Sequence, residues 1–565
     1  MKPRLSLGLL SAIVAVASIG YSNADVIPNY VLPAPEEGKD SVEITSDSYA
    51  QDKYSVTVKD GDYTGTVTGT TNIHSTLYVR EGDIQIGDGT ASNNSTQSLN
   101  ILGTAGSNRV GISIAGKNAN VTLNKATLSA NSSYYFNTIG SCDGNGTLTA
   151  DNGSFVKFGG ASHVIIGEST DTENEYVYGN NTTVSPDSNQ KYPGSYTPAA
   201  NGSGATFGKG IVTIKGGSTM EMGMNFYMSE GELNIEGPDS TATMGGLIAN
   251  RALINLNSNS TANINISDGG KLFVQMNEFT TNYNNNTTAN INIAGQGSEL
   301  VFRETTVDHP EVSGDQSADV EVFLGRYGTN NNTSVQVTGG GKLTFETSYV
   351  TLGKAGTNLG NTAKLYIDSD SEMATKGMNL KDSAVLVNEG LISDNGAMYD
   401  LISIIGKGSL TNSGIIDGVV VMTNDGSITA LDGASFKGID MYAGTLNVQG
   451  KMTMKEWLYI DAATIVFTMD GCIDMQGYDC DIWDTDIVLL VDGSVDNLTV
   501  FEKTDFFINL NNTNMDSNTT ITVKGSDNST TVRYISDINK VVPEPSTATL
   551  SLLALATLAS RRRRK

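Results

Sequence analysis

Between its two ends the chain repeats one short pattern: apolar residues at every second position, closed by glycine. Asn263-Ile264-Asn265-Ile266 returns as Asn290-Ile291-Asn292-Ile293, and Val212-Thr213-Ile214, Leu233-Asn234-Ile235, Val335-Gln336-Val337 and Leu365-Tyr366-Ile367 have the same form. Period-two alternation places Ile, Val and Leu on one face of a strand and Asn, Thr or Gln on the other. A glycine turn and a second strand follow. Ser267-Asp268-Gly269-Gly270-Lys271-Leu272-Phe273 matches Thr338-Gly339-Gly340-Gly341-Lys342-Leu343-Thr344-Phe345. A third piece ends in glycine, as in Val164-Ile165-Ile166-Gly167, Val322-Phe323-Leu324-Gly325 and Val350-Thr351-Leu352-Gly353, and leads into a polar loop of variable length. Glycine suits such corners because sharp turns often require positive φ. Strand, corner, strand, strand, loop describes one turn of a coil with three short sides.

A second repeat shares Asn-x-Gly with an apolar residue one or two places on: Asn388-Glu389-Gly390, Asn412-Ser413-Gly414 and Asn424-Asp425-Gly426. Stacked, these corners predict a column of equivalent turns whose Asn side chains hydrogen-bond to the next rung. One rung cannot bury its apolar face alone, so rungs must stack into a continuous narrow core. The expectation is an all-β chain, a right-handed parallel β-helix (β-solenoid), over residues 55–500. The rival, a row of β-sandwiches, needs frequent hairpins and large aromatic core residues. Aromatics are only 7% of this chain, with 2 Trp. Residues 25–54, with Pro28, Pro33 and Pro35, read as an extended lead-in or N-terminal cap. Trp457 to Phe507 is expected to hold the last rungs and a cap, and 501–540 the C-terminal strands and a tether running from about Ser526. Thr170–Gly204 and Asn277–Thr288 read as polar surface loops.

Both ends read as targeting signals. Lys2 and Arg4 precede an apolar run from Leu5 to Ile19, and Ser22-Asn23-Ala24 is a small-x-small cleavage site. Residues 1–24 therefore read as a signal peptide cut after Ala24. The other end, 541–565, reads Val541-Val542-Pro543-Glu544-Pro545-Ser546, an apolar run from Thr547 to Ser560, then Arg561-Arg562-Arg563-Arg564-Lys565. The run is short of the roughly 20 residues a stable membrane span needs, and the five cations stay cytoplasmic. A marginal anchor suits a segment held briefly and then cut, a transient membrane insertion through a sorting helix. Val542, Pro543, Glu544 and Pro545, the Leu/Ala run and the Arg cluster closely resemble the PEP-CTERM sorting signal of bacterial surface proteins. That resemblance implies export machinery, an exosortase-type processing enzyme as partner, and cleavage near Pro-Glu-Pro. The repeats in the middle of the chain resemble those of autotransporter passenger domains, although no C-terminal barrel follows.

The formal charge is −26, and removing the basic residues of both ends makes the mature chain more acidic still. Nucleic acid is disfavoured as a partner, since it selects a cationic footprint. Three cysteines exclude a disulfide scaffold. Cys472 and Cys480 are close enough in sequence to bridge in an oxidising compartment, or to remain thiols, with Cys142 left over as a small buried residue. No Cys-x-x-Cys pair offers a thiolate zinc site. Asp470, Asp474, Asp479, Asp481, Asp484 and Asp486 form the densest acidic run, but it lacks the glycine and the bidentate glutamate of a calcium loop. It reads better as an acidic strand edge that repels pairing. His74, His163 and His309 are far apart, and Arg109, Arg251, Arg303 and Arg326 occur singly. The Gly-Lys pairs at 208–209, 353–354 and 406–407 complete no phosphate loop and read as corners. No catalytic residue, cofactor or metal ligand is expected.

The reading is thus an exported, surface-associated, non-enzymatic β-helix protein with a structural or adhesive role in the bacterial envelope or matrix, and a glycan or matrix partner. The alternatives are a polysaccharide lyase or glycosidase on the same scaffold, or an ice- or carbohydrate-binding rod with flat Thr/Asn rows.

Overall fold

In the computed structural model the alternating stretches are strands with alternating burial. Gly146–Asp151 and Thr288–Ala294 bury every second residue, so that Leu148, Ala150, Ile291 and Ile293 are inside. The structure describes the short strands Ile27–Pro28 and Ser41–Ile44 and most of the chain from 55 to 534. Residues 168–207, 304–319, 492–512, 535–565, much of the first fifty and several shorter loops lie outside that description. No helix occurs among the described residues.

The chain divides into two compact units. In the first, three columns of parallel strands recur in fixed order. One column stacks Gly82–Ile86, Ala119–Asn124, Gly146–Asp151, Gly210–Lys215 and Gly231–Glu236. A second stacks Ser98–Leu102, Thr127–Asn131, Phe155–Gly159, Thr219–Met222, Thr241–Met244 and Lys271–Val274. The third stacks Ile112–Ile114, Phe136–Ile139, His163–Ile166, Asn225–Met228 and Arg251–Ile254. Each strand pairs with its counterpart one rung later, so sequence neighbours lie on different faces. This is a β-helix-like stack of parallel strands.

The second unit repeats the plan. Thr288–Ala294, Asn332–Thr338, Thr362–Ile367, Ala384–Asn388, Ser409–Asn412, Ser427–Ala430, Thr445–Val448, Thr464–Phe467, Asp486–Val491 and Thr520–Gly525 form one parallel column. The other two columns are separate through Leu391–Asp394 and Ile402–Ile404, then fuse. The single strand Ile415–Met422 pairs with both of them, and its register with the next strand shifts between Ile416 and Val419. Ser435–Met441 and Lys451–Asp461 continue as fused strands before Cys472–Asp474 and Cys480–Trp483 separate again.

Three boundaries differ from the sequence reading. The lead-in joins the stack: Ile27–Pro28 pairs with Val58 and Lys59, and Ser41–Ile44 pairs with Thr70–Ile73, all parallel. The columns run on past residue 500 through Thr513–Met515 and Thr520–Gly525. The expected tether begins with a return strand, Thr530–Tyr534, antiparallel to Thr520–Lys524. Reversal gives the last strand of this column a partner and turns the chain back, a way to blunt an open edge.

The corners follow the glycines. Gly167, Gly325 and Gly353 all have positive φ. At Gly167 the need is also steric, because a Cβ would overlap the Glu230 carbonyl of the next rung. Of the Gly-Lys pairs, Gly353 and Gly406 have positive φ and sit at corners, whereas Gly208-Lys209 leads straight into the strand Gly210–Lys215. Asp382 accepts from Gly356 N and Lys407 N at 2.6 and 2.7 Å, tying three successive loops together. Those two backbone donors hold the Asp382 carboxyl below its ordinary pKa.

The asparagine column is real for two of its three members. Asn388 and Asn412 are fully buried, and Asn388 Nδ2 donates to Asn412 Oδ1 at 2.7 Å and to the Ile415 carbonyl at 3.2 Å. Asn412 Nδ2 donates to the carbonyls of Gly414 and Ser435 at 3.1 and 3.4 Å. Asn424 does not join them. It is exposed and precedes Ser427–Ala430, whereas Asn388 and Asn412 end their strands. The motif matched, but at a different corner of the rung. Asn388→Ala is expected to lower stability by about 1–3 kcal/mol, because buried carbonyls and the Asn412 amide lose a partner. A double-mutant cycle with Asn412→Ala, read by urea unfolding, should give a coupling of about 1 kcal/mol.

Asn277–Thr288 is not a simple surface loop. Glu278–Thr280 is a strand, and Thr280, Thr281, Asn282 and Thr287 are buried. Asn282 Nδ2 donates to the carbonyls of Thr287 and Asn332 at 3.0 and 3.1 Å, and Thr287 N and Oγ1 both donate to Asn331 Oδ1 at 2.9 and 3.0 Å. Thr333 Oγ1 donates to Asn282 Oδ1 at 2.8 Å. Polar residues fill this corner because the loops of successive rungs supply the hydrogen-bond partners that burial demands.

Candidate functional site

An enzyme on this scaffold would need carboxylates and a cation converging on one face of neighbouring rungs. The ion pairs observed are instead cross-rung couples of one carboxylate with one cation. Among the described residues they include Lys157–Glu221 at 3.1 Å, Lys209–Glu232 at 2.6 Å, Lys342–Glu372 at 3.5 Å, Lys215–Asp151 at 3.5 Å and Lys451–Asp474 at 3.1 Å. Lys157 with Glu221 and Lys342 with Glu372 are direct register partners. Such pairs, with both members partly solvated, contribute about 0–1 kcal/mol each.

Of the singly placed cations and histidines, Arg251, Arg303, Arg326 and His163 fall among the described residues. Arg303 lies 4.0 Å from Glu346, Arg326 packs its guanidinium 3.8 Å above the Phe323 ring, and Arg251 begins a strand. Arg109, His74 and His309 lie outside the described residues. His163 is buried in its strand, not on the surface. Asn225 Nδ2 lies 2.9 Å from its Nδ1, and the Arg251 backbone N–H donates to Asn225 Oδ1 at 3.0 Å. With the amide so oriented, Asn225 donates and His163 Nδ1 accepts. The ring stacks on Tyr227 with centroids 6.0 Å apart, and burial pushes its pKa down to about 4.

The acidic run from Asp470 to Asp486 is dispersed by the fold. Asp474 faces Lys451, and Asp486 accepts from Thr520 and Thr522 hydroxyls at 2.8 and 3.1 Å. Asp481 sits in register with Tyr459, and Asp484 turns the chain with φ 43. Among the described residues no three His, Cys, Asp or Glu side chains are grouped to hold a metal ion. The bridge between Cys472 and Cys480 does not form. Their partners, Lys451 and Leu458, lie seven positions apart on one strand, on the order of 20 Å along an extended chain. A disulfide needs Cα atoms roughly 4–7 Å apart. Cys142 lies outside the described residues.

Two outward features are visible only once register is known. Ser409, Ser427, Thr445 and Thr464 align on successive rungs, flanked by Thr411, Thr429, Asn447 and Val466, so hydroxyls recur at near-constant sequence spacing. That spacing is more regular than the repeat intervals suggest from sequence. On another face of the same rungs, Tyr442, Trp457, Tyr459 and Trp483 gather beside Asp440, Asp461 and Asp481.

Among the described residues no helix is long and apolar enough to cross a membrane. The signal segment with Ser22 and Ala24, and the sorting residues Val542, Pro543, Glu544, Pro545, Arg561, Arg562, Arg563, Arg564 and Lys565, lie outside them. No curated protein and no solved structure matches the chain. Residues 541–565 match the PEP-CTERM protein-sorting motif, which implies an exported, cell-surface-directed protein processed by an exosortase-type system.

Proposed function

We propose that this is a non-enzymatic surface protein of the bacterial envelope or matrix, a right-handed parallel β-helix with a structural or adhesive role. Its N-terminal signal is cut after Ala24. Its C-terminal apolar run inserts transiently as a helix with Arg561–Lys565 on the cytoplasmic side, and an exosortase-type enzyme releases the chain near Pro543-Glu544-Pro545. The motif match over 541–565 carries this reading. The parallel stacks support it. Their outward rows carry hydroxyls, amides and single ion pairs, a surface suited to contact more than to acid–base chemistry. The net charge of −26 keeps such a surface soluble and away from nucleic acid.

The test uses a bacterium with an exosortase and an epitope inserted after residue 25. Replacing Pro543, Glu544 and Pro545 by alanine should leave the chain uncut and membrane-associated, and surface labelling should fall to background. Unchanged processing and display would overturn the sorting step. Release of shortened or unsaturated sugars by the purified chain from a polysaccharide panel would overturn the non-enzymatic reading.

A further inference from the structure

The two tryptophans of the chain, Trp457 and Trp483, are both large apolar residues left in solvent. Trp457 is 36% exposed, Trp483 45% and the nearby Tyr442 49%. Exposed aromatics are ordinary when single and informative when grouped. Here the register groups them. Asp440, Tyr459 and Asp481 occupy successive rungs in one outward row. Trp457 stands two positions before Tyr459 on the same strand, and Asp461, two positions after it, pairs with Trp483 on the next rung. Tyr442 packs against Tyr459 with ring centroids 5.6 Å apart and planes tilted by 49°.

The Trp457 ring is held in place. Its Nε1–H donates to Asp440 Oδ1 at 2.6 Å. Beneath it lies Gly438, its register partner, where a Cβ would come within 2.9 Å of indole Cε2 and 3.1 Å of Cζ2. The indole therefore rests flat on a bare backbone, one face against the sheet and the other outward. A ring fixed before binding loses little side-chain entropy when a ligand arrives. From Trp457 to Trp483 the row spans four strand positions and one rung, roughly 13 Å along the strands.

We propose that Trp457, Tyr459, Tyr442 and Trp483 form a binding platform for an uncharged polysaccharide chain laid along the strand direction. Pyranose rings offer flat C–H faces to aromatic rings and hydroxyl groups at their edges. Asp440, Asp461 and Asp481 lie where those hydroxyls would donate, and a carboxylate accepts strong hydrogen bonds. The same carboxylates, in a chain of net charge −26, repel acidic polysaccharides. The proposal names a partner for the adhesive role above and relies on that role only for where the glycan is met, not for the binding itself.

Because the chain has 2 Trp, its tryptophan fluorescence reports on this platform alone. Purified full-length chain is titrated with soluble oligomers of β-glucan, mannan and N-acetylglucosamine, with polygalacturonate as the acidic control and with tetramethylammonium and spermidine as cationic controls. The expected result is a saturable emission change with at least one neutral oligomer and none with polygalacturonate. Trp483→Ala, an exposed substitution that leaves the fold intact by circular dichroism, should weaken affinity about tenfold or more, and Tyr442→Ala similarly. No saturable response to any neutral oligomer would overturn the proposal, as would a response untouched by Trp483→Ala. So would a response to the cations alone, or one that follows protein concentration without sugar. Failed surface display would leave this binding result standing, and failed binding would leave sorting untouched.

Discussion

Phe302→Ala is expected to lower the stability of the second unit by about 3–5 kcal/mol. Phe279, Phe302 and Phe345 are essentially buried and meet inside the stack. Phe302 and Phe345, register partners, stack with centroids 5.0 Å apart and planes at 11°, while Phe279 meets Phe302 edge-on at 5.1 Å and 73°. Inward side chains in a narrow stack have neighbours only on their own rung and the two beside it, and backbone ladders on every side prevent collapse. The truncation therefore leaves a cavity that the surroundings cannot fill, and both ring contacts go with it. The loss should be local, since a repeat stack is stabilised mainly by nearest-neighbour interfaces. Urea unfolding gives the magnitude. Hydrogen exchange should rise in Glu299–Phe302 and Lys342–Phe345 and remain low in Ser427–Ala430 and Thr445–Val448. Equal loosening of all four strands, or a change below about 1 kcal/mol, would contradict this account of the core.

The second large effect is a loss of stability in mild acid, traceable to His163. Its folded pKa is lowered to about 4 from the ordinary 6.5 by burial, and Asn225 donates to the nitrogen that protonation would have to occupy. Between these two values the unfolded chain binds a proton that the folded chain refuses, so stability rises with pH across the window. It is fully present above about pH 6.5 and is lost as pH falls toward 4, by about 3 kcal/mol in all at 1.36 kcal/mol per pKa unit. His163→Gln should flatten this part of the profile. Asp88, whose pKa is lowered to about 2 by its hydrogen bonds to Thr90 and Gln97, acts only in stronger acid. Urea midpoints at pH 7, 5.5 and 4.5 for both chains decide the matter. A wild-type profile no steeper than that of His163→Gln would sink it.

Much of the fold could be read from the chain before any coordinates. Alternation at Asn290–Ile293 and Val335–Val337 marks strands that do bury Ile and Val, and the glycines at 167, 325 and 353 mark corners with positive φ. What misled was composition at corners. Asn282, Thr287 and Asn331 look like a solvated loop, yet the backbone of the adjacent rung satisfies them in the interior. The fused strand Lys451–Asp461 is hidden because its bend carries no glycine or proline, and in Ile415–Met422 the Asp417-Gly418 pair reads as a turn although the strand runs through it. Cys472 and Cys480 are near in sequence but separated along the strands, since successive segments of one coil run apart. Trp457 and Trp483 could be seen as unusual, and a cap was the natural reading. Only the register places them beside Tyr442 and Tyr459, because that neighbourhood is a property of rungs and not of sequence distance.

The reversed strand Thr530–Tyr534 bears on how such a chain can change over generations. Its direction does not match another parallel turn, so an extra copy appended after it would find no template in that column. A copy gained or lost among the turns of near-constant length between Ser409 and Phe467 would leave the terminus and its sorting signal in place. Each such turn would change the length of this column by one strand spacing, about 4.8 Å, and leave that signal untouched.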